Sequence, residues 1–127
     1  MRRVMATRIL VVDDTLAIRR SLRLRIETET DWEICGEAEN GRDAIERVKE
    51  LHPDVVLLDL SMPVMNGLDA ARRIKAIAPS THILMFTLHT YPQLLDEARK
   101  AGISSVVSKS DAAGPNLLRA LRSLLAA

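Results

Sequence analysis

The chain has 127 residues, enough for one domain that buries a core without disulfides or a structural metal. Its 18 Lys and Arg stand against 17 Asp and Glu, so no overall positive field argues for nucleic-acid binding. The single cysteine, Cys35, excludes an internal disulfide and fits a reducing cytoplasm; the apolar stretch after Arg2 and Arg3, Ile9 to Val12, is too short for a signal peptide or a membrane span.

Apolar runs then alternate with segments of helical period, five times over. A first strand over 8–13 ends on Asp13 and Asp14, and a helix over 15–29 follows with Ile18, Leu22 and Ile26 on one stripe. Over 32–39, Trp32, Ile34, Gly36 and Ala38 alternate with Glu33, Cys35, Glu37 and Glu39, the pattern of a half-exposed edge strand. The next helix carries Ala44, Ile45, Val48 and Leu51 and stops at His52-Pro53. A wholly apolar third strand, 54–59, ends on Asp59; a helix over 66–78 shows Leu68, Ala71, Ile74 and Ala78. The fourth strand, 82–87, ends on Thr87, and its helix, 91–101, offers Leu94, Leu95, Ala98 and Ala101 before Gly102. A serine-rich fifth strand, 103–108, reads as the other edge and is followed by Lys109. Gly114-Pro115 opens the last helix, with Leu117, Leu118, Leu121, Leu124 and Leu125 turned inward.

Five strand-helix repeats imply a parallel sheet with helices on both faces. In such sheets ligands bind outside the carboxyl ends of the strands, and Asp13, Asp14, Asp59, Thr87 and Lys109 all stand at those ends. Each has an ordinary reading alone: Asp14 as a helix N-cap, Asp59 as a turn residue, Thr87 as a structural strand-end threonine, Lys109 as a solvated lysine. Their convergence on one rim favours a site, because carboxylates at the tips of buried strands are costly unless a metal or a reaction uses them.

Val11-Val12-Asp13-Asp14, Asp59-Leu60-Ser61-Met62-Pro63-Val64-Met65-Asn66-Gly67, Phe86-Thr87 and Val107-Ser108-Lys109, in this order, resemble the receiver domain of bacterial response regulators. The likeness runs from Ile9 through Leu125, so 1–127 reads as a single receiver with a core over about 8–126. It implies a flavodoxin-like (βα)5 doubly wound α/β fold with strand order 2-1-3-4-5, an order the family is known for. It implies that Asp59 accepts a phosphoryl group from a histidine kinase or histidine phosphotransfer protein. By the same resemblance Mg2+ is held by Asp14, Asp59 and the Ser61 backbone carbonyl, with Asp13 acting through water, while Lys109 and Thr87 contact phosphoryl oxygens. Gly67 serves the turn that begins the third helix.

The chain departs from the family pattern at two positions. Val106 stands three residues before Lys109, where receivers carry a Tyr or Phe that changes rotamer on activation; Tyr91 reads as a surface or packing residue, with a report of loop movement as the functional alternative. Ser110 replaces a proline commonly found after the lysine, so a cis peptide is not expected there. Ser61 and His89, which flank the path of an attacking water in the family, are not carboxylates or amides that speed hydrolysis, so the phosphorylated state is expected not to be short-lived. His52 and His82 carry no ligand spacing.

Leu88-His89-Thr90-Tyr91 and Lys109-Ser110-Asp111 are similar to receivers that precede a helix-turn-helix DNA-binding domain, so the chain reads either as a single-domain regulator or as the receiver of a longer protein. An effector domain, a partner protein or a second copy are its candidate partners; direct nucleic-acid or membrane contact is not expected. Arg19, Arg20, Arg23 and Arg25 read as a solvated face, with docking of an acidic kinase-side partner as the functional alternative. Two other readings are a receiver that has lost phosphorylation and serves as a scaffold, and an Asp-nucleophile phosphatase. The phosphatase would need a second acid two residues after its nucleophile, whereas Asp59 is followed by Leu60-Ser61 and Asp13 by Asp14-Thr15. A nucleotide- or flavin-binding module would need a glycine- or hydroxyl-rich phosphate loop where Asp13 and Asp14 stand.

Overall fold

The computed structural model describes residues 6–88, 90–109 and 116–126. Strands β1 (Arg8–Val12), β2 (Glu33–Ala38), β3 (Val55–Leu58), β4 (His82–Thr87) and β5 (Ser105–Ser108) alternate with helices α1 (Leu16–Glu29), α2 (Gly41–Leu51), α3 (Gly67–Ile77), α4 (Leu94–Lys100) and α5 (Asn116–Ala126). All strand pairs are parallel, in the order β2-β1-β3-β4-β5, with β2 and β5 at the edges as expected. The chain winds outward from β1 to β2 and returns to β3 on the other side, so the winding reverses between β1 and β3, where Asp13 and Asp59 follow adjacent strands.

Alternation along the central strands divides the core in two. Leu10, Val12, Val56, Leu58, Ile83 and Met85 face Ala44, Val48, Ala71, Ile74, Leu94 and Ala98 of α2, α3 and α4. Ile9, Val11, Val55, Leu57, Leu84 and Phe86 face Leu22, Ile26, Leu117, Leu118 and Leu121 of α1 and α5, with Leu124 and Leu125 partly buried beside them. Burial on both faces explains why β1 and β3 are apolar without alternation. Helices α2 and α3 begin where local chemistry caps them: Asn40 and Asn66 accept the N–H groups of Asp43 and Asp69, both at 2.9 Å. His52, in left-handed conformation (φ 48°), ends α2 ahead of Pro53.

Four expectations change. Strands β1 and β3 stop one residue short, at Val12 and Leu58, leaving Asp13 and Asp59 in the loops. Helix α4 begins at Leu94 rather than 91: Pro92 biases Tyr91 away from helical dihedrals, and the Leu94 N–H closes a turn on the Tyr91 carbonyl at 3.0 Å. Leu95, a quarter-turn round from Leu94, is 67 % exposed and not on the buried stripe. Strand β5 starts at Ser105, with Ser104 attached to β4 only through its N–H to Ile83 O, 2.8 Å.

The fourth change is in β2, whose residues do not alternate onto one face. Its register with β1 shifts at Cys35, so that Ile9 pairs with Ile34 but Leu10 pairs with Gly36. Trp32 and Ile34 pack on the α1/α5 side, whereas Cys35 and Ala38 pack on the α2 side. Cys35 is half-buried, and that burial pushes its thiol up from the ordinary value. Gly114-Pro115, Ser110 and its peptide bond, and His89 lie outside the described residues. No helix among the described residues is long and apolar enough to cross a membrane.

Candidate functional site

The rim at the carboxyl ends of β1, β3 and β4 gathers the predicted residues. Asp13 extends the β1 ladder by donating its N–H to Ala38 O at 3.1 Å, and its Oδ1 accepts the Thr15 N–H at 2.9 Å. That bond starts α1 from outside, since Thr15, the N-cap residue, makes no side-chain cap and Asp14 does not take the role either. Asp13 is buried to 1 % exposure while Asp14 is exposed, so one carboxylate lines the floor and its neighbour the mouth.

Asp59 is held just as closely. Its N–H donates to Val12 O at 3.0 Å, and its Oδ1 accepts the Leu60 N–H at 2.8 Å. Lys109, with a 7 % exposed side chain, reaches in from the end of β5 to place Nζ 2.5 Å from Asp13 Oδ2 and 3.2 Å from Asp59 Oδ2. It is thus a buried partner of both acids and not a solvated lysine. Burial, then the charge of Asp13, raises the Asp59 carboxyl above its ordinary value; the Lys109 ammonium and the Leu60 N–H oppose this without cancelling it.

Asp13, Asp14 and Asp59 each offer an oxygen within 4.8 Å of the others. One ammonium among three carboxylates leaves negative charge uncompensated. An all-oxygen, carboxylate-rich donor set with one exposed member suits a hard divalent cation that keeps part of its water. Ser61 is exposed beside this cluster, and Thr87, at the end of β4, is completely buried opposite Ser108 of β5.

Two supports of the site escape a sequence reading. Gly67 is needed for close approach as well as for a turn: a Cβ there would lie 2.2 Å from the Asp59 carbonyl oxygen, and its N–H bonds Leu60 O at 2.8 Å. The arginines of α1 are partly solvated and partly tied into ion pairs. Arg19 and Arg23 share Glu37 of β2, at 2.9 Å and 2.8 Å, Arg25 pairs with Glu29 at 3.3 Å, and Arg20 is exposed. A glycine or an arginine pattern in the sequence does not by itself reveal such partners.

Beside the rim, Thr90, Tyr91, Leu94, Leu95, Val106 and Ser108 line an open groove of about 530 Å³. Tyr91 is 39 % exposed and donates its hydroxyl to Glu97 Oε2 at 2.8 Å.

The profile of the response regulator receiver domain matches residues 9–122. The chain is 41 % identical over 105 residues to the chemotaxis protein CheY of Thermotoga maritima, covering 83 % of this chain and 87 % of that protein. It is 39 % identical over 102 residues to the transcriptional regulatory protein YdfI of Bacillus subtilis, covering 80 % of this chain but 47 % of that longer protein. A two-component response regulator of the LuxR family from Aurantimonas sp. SI85-9A1 superposes with a TM-score of 0.88 at 33 % identity, over 96 % of this chain and 86 % of that one. With a matching profile over nearly its whole length and the same five-stranded order at its core, the chain belongs to the receiver domain family of two-component response regulators.

Proposed function

We propose that this receiver, as a single unit over 1–127 in the cytoplasm, takes a phosphoryl group onto Asp59 from a histidine kinase or histidine phosphotransfer protein. The observation that carries the reading is the placement of one buried ammonium and three carboxylates on one rim, with the Asp59 carboxyl held at its centre by backbone bonds. Asp14, Asp59 and the Ser61 carbonyl would hold Mg2+, with Asp13 completing the acidic end through water. Bound there, Mg2+ would neutralise the phosphate and the acids that otherwise repel it.

The chemistry asked of the protein is positioning. An Asp59 carboxylate oxygen forms a bond to phosphorus as the bond from phosphorus to the donor's histidine nitrogen breaks; the product is an acyl phosphate and the freed imidazole. Lys109, poised between Asp13 and Asp59, donates to a phosphoryl oxygen, and the Thr87 hydroxyl takes another. Because a ligand shifts a protein only through contacts that differ between its states, the movement of Thr87 is where the signal leaves the site. A partner protein or effector domain then reads the altered surface, with Val106 in place of an aromatic.

Incubation with acetyl phosphate and Mg2+ tests the reading by intact mass. One added phosphoryl group that is absent in Asp59→Asn is expected. A folded protein that gains no mass and also fails to bind beryllofluoride with Mg2+ refutes it.

A further inference from the structure

The loop from 13 to 15 must hold two neighbouring carboxylates beside a third against their repulsion, and its backbone shows how. The Asp13 N–H is taken by Ala38 O, and its Oδ1 by the Thr15 N–H. Its carbonyl accepts a hydrogen bond from Arg19 Nη1 at 2.7 Å, the arginine side chain being 12 % exposed. Arg19 is fixed in turn, because its Nε donates to Glu37 Oε1 at 2.9 Å, while Arg23 grips Glu37 Oε2 through Nε at 3.0 Å and Nη2 at 2.8 Å.

Glu37 reaches α1 only through the irregularity at Cys35. After the shift Glu37 pairs with Val11, whose side chain lies on the α1/α5 face; without it, strict alternation from Ile34 would turn Glu37 to the α2 face. An arginine on α1, an acid on the edge strand and a bulge thus serve one end, the Asp13 carbonyl.

We propose that Arg19 is a positioning residue for the cation site, locking the peptide between Asp13 and Asp14, with Glu37 holding Arg19 in place. The proposal rests on the reading of Asp13, Asp14 and Asp59 as that site. The peptide unit is planar, so holding the Asp13 carbonyl sets where the Asp14 Cα stands and from where its exposed carboxylate reaches inward. Glu37 has a second part. A bare guanidinium near the cluster would repel a cation, and the Glu37 carboxylate offsets that charge.

Positioning and charge predict opposite signs, which makes the idea testable. The probe is Mg2+ alone, titrated calorimetrically into the wild-type chain and into Arg19→Ala, Arg19→Lys and Arg23→Ala. Loss of a positive charge by itself would tighten Mg2+ binding. Loss of the brace weakens it, by about fivefold or more in Arg19→Ala, as supports behind metal ligands do. Arg23→Ala removes an equal charge from Glu37 without touching Asp13, and stays within about twofold of wild type. Arg19→Lys keeps the charge but not the two-pronged fork, and falls between. Amide exchange at Thr15, which donates to Asp13 Oδ1, speeds up in Arg19→Ala and not in Arg23→Ala.

Mg2+ bound by Arg19→Ala as tightly as by wild type, or weakened equally in Arg23→Ala, overturns the proposal. If Arg19→Ala does not fold, Arg19→Lys carries the test, since wild-type affinity there contradicts it. A folded wild-type chain that binds no Mg2+ removes the cation site itself and the proposal with it, an outcome distinct from any difference between variants.

Discussion

Replacing Gly67 by alanine sets two physical effects against each other at the first residue of α3. Helix propensity alone favours alanine by about 1 kcal/mol, which would make the variant more stable. The structure predicts the reverse. The new Cβ would lie 2.2 Å from the Asp59 carbonyl oxygen and 3.0 Å from the Leu60 Cα, both rigid backbone atoms. Ordinary carbon-oxygen contact begins about 1 Å farther out, so the β3–α3 connection must move by roughly that much. The movement strains or breaks the Gly67 N–H to Leu60 O bond and shifts the residue whose carboxylate is the proposed acceptor. Overpacking costs of about 1–3 kcal/mol and a weakened buried hydrogen bond of about 1 kcal/mol give a net loss of roughly 1–3 kcal/mol after the propensity gain. At about 3–5 °C per kcal/mol for a chain of this size, Tm falls by about 3–15 °C. Displacing Asp59 by 1 Å or so also lowers its phosphorylation rate by on the order of a hundredfold. Thermal denaturation and phosphorylation by acetyl phosphate measure the two. A variant as stable as wild type and phosphorylated at the same rate refutes the reasoning.

Other consequences follow from single contacts. Val64, 70 % exposed with φ 68°, sits at the apex of a tight turn closed by the Met65 N–H on Pro63 O at 2.7 Å. Left-handed backbone costs a β-branched residue about 1–2 kcal/mol, so Val64→Gly raises stability by about 0.5–1 kcal/mol after glycine's entropy is counted, read as a higher urea midpoint. Burial pushes the Glu37 carboxyl up, but the Arg23 and Arg19 guanidiniums outweigh it and hold the group below its ordinary value. A depressed folded value means stability that is present above the unfolded carboxylate range near pH 4.5 and lost as pH falls through the folded value. In Glu37→Gln that part of the acid slope disappears from denaturation curves between about pH 6 and pH 3, whereas an unchanged slope contradicts the pairing. Ser61 beside the acceptor carries no carboxylate or amide to draw in water. Release of phosphate from the labelled, Mg2+-loaded protein is accordingly slow, and decay within seconds would contradict this.

The fold was legible wherever burial on both faces writes itself as an unbroken apolar run: Val55-Val56-Leu57-Leu58 and Ile9-Leu10-Val11-Val12 are central strands for that reason. Asp13 and Asp59 were legible because each closes such a run, and Lys109 because it follows the last strand; parallel strands bring their carboxyl ends to one side. The bulge at Cys35 was not, because register belongs to a strand pair and not to either strand. The role of Gly67 depends on how closely two backbones approach, and that of Arg19 on partners six residues back on the chain and 18 residues on. Helix α4 was drawn from 91 although Pro92 biases Tyr91 away from helical dihedrals, and Leu95 was placed on the buried stripe although the fold leaves it in solvent.

The most direct measurement locates the phosphoryl group itself. After reaction with acetyl phosphate, reduction with borohydride converts an aspartyl phosphate to homoserine, which peptide mass spectrometry places on a residue. Homoserine is expected at position 59 alone, dependent on Mg2+ and abolished by EDTA. Modification at Asp13 or Asp14 instead, or none in a folded, Mg2+-loaded protein, would contradict Asp59 as the acceptor.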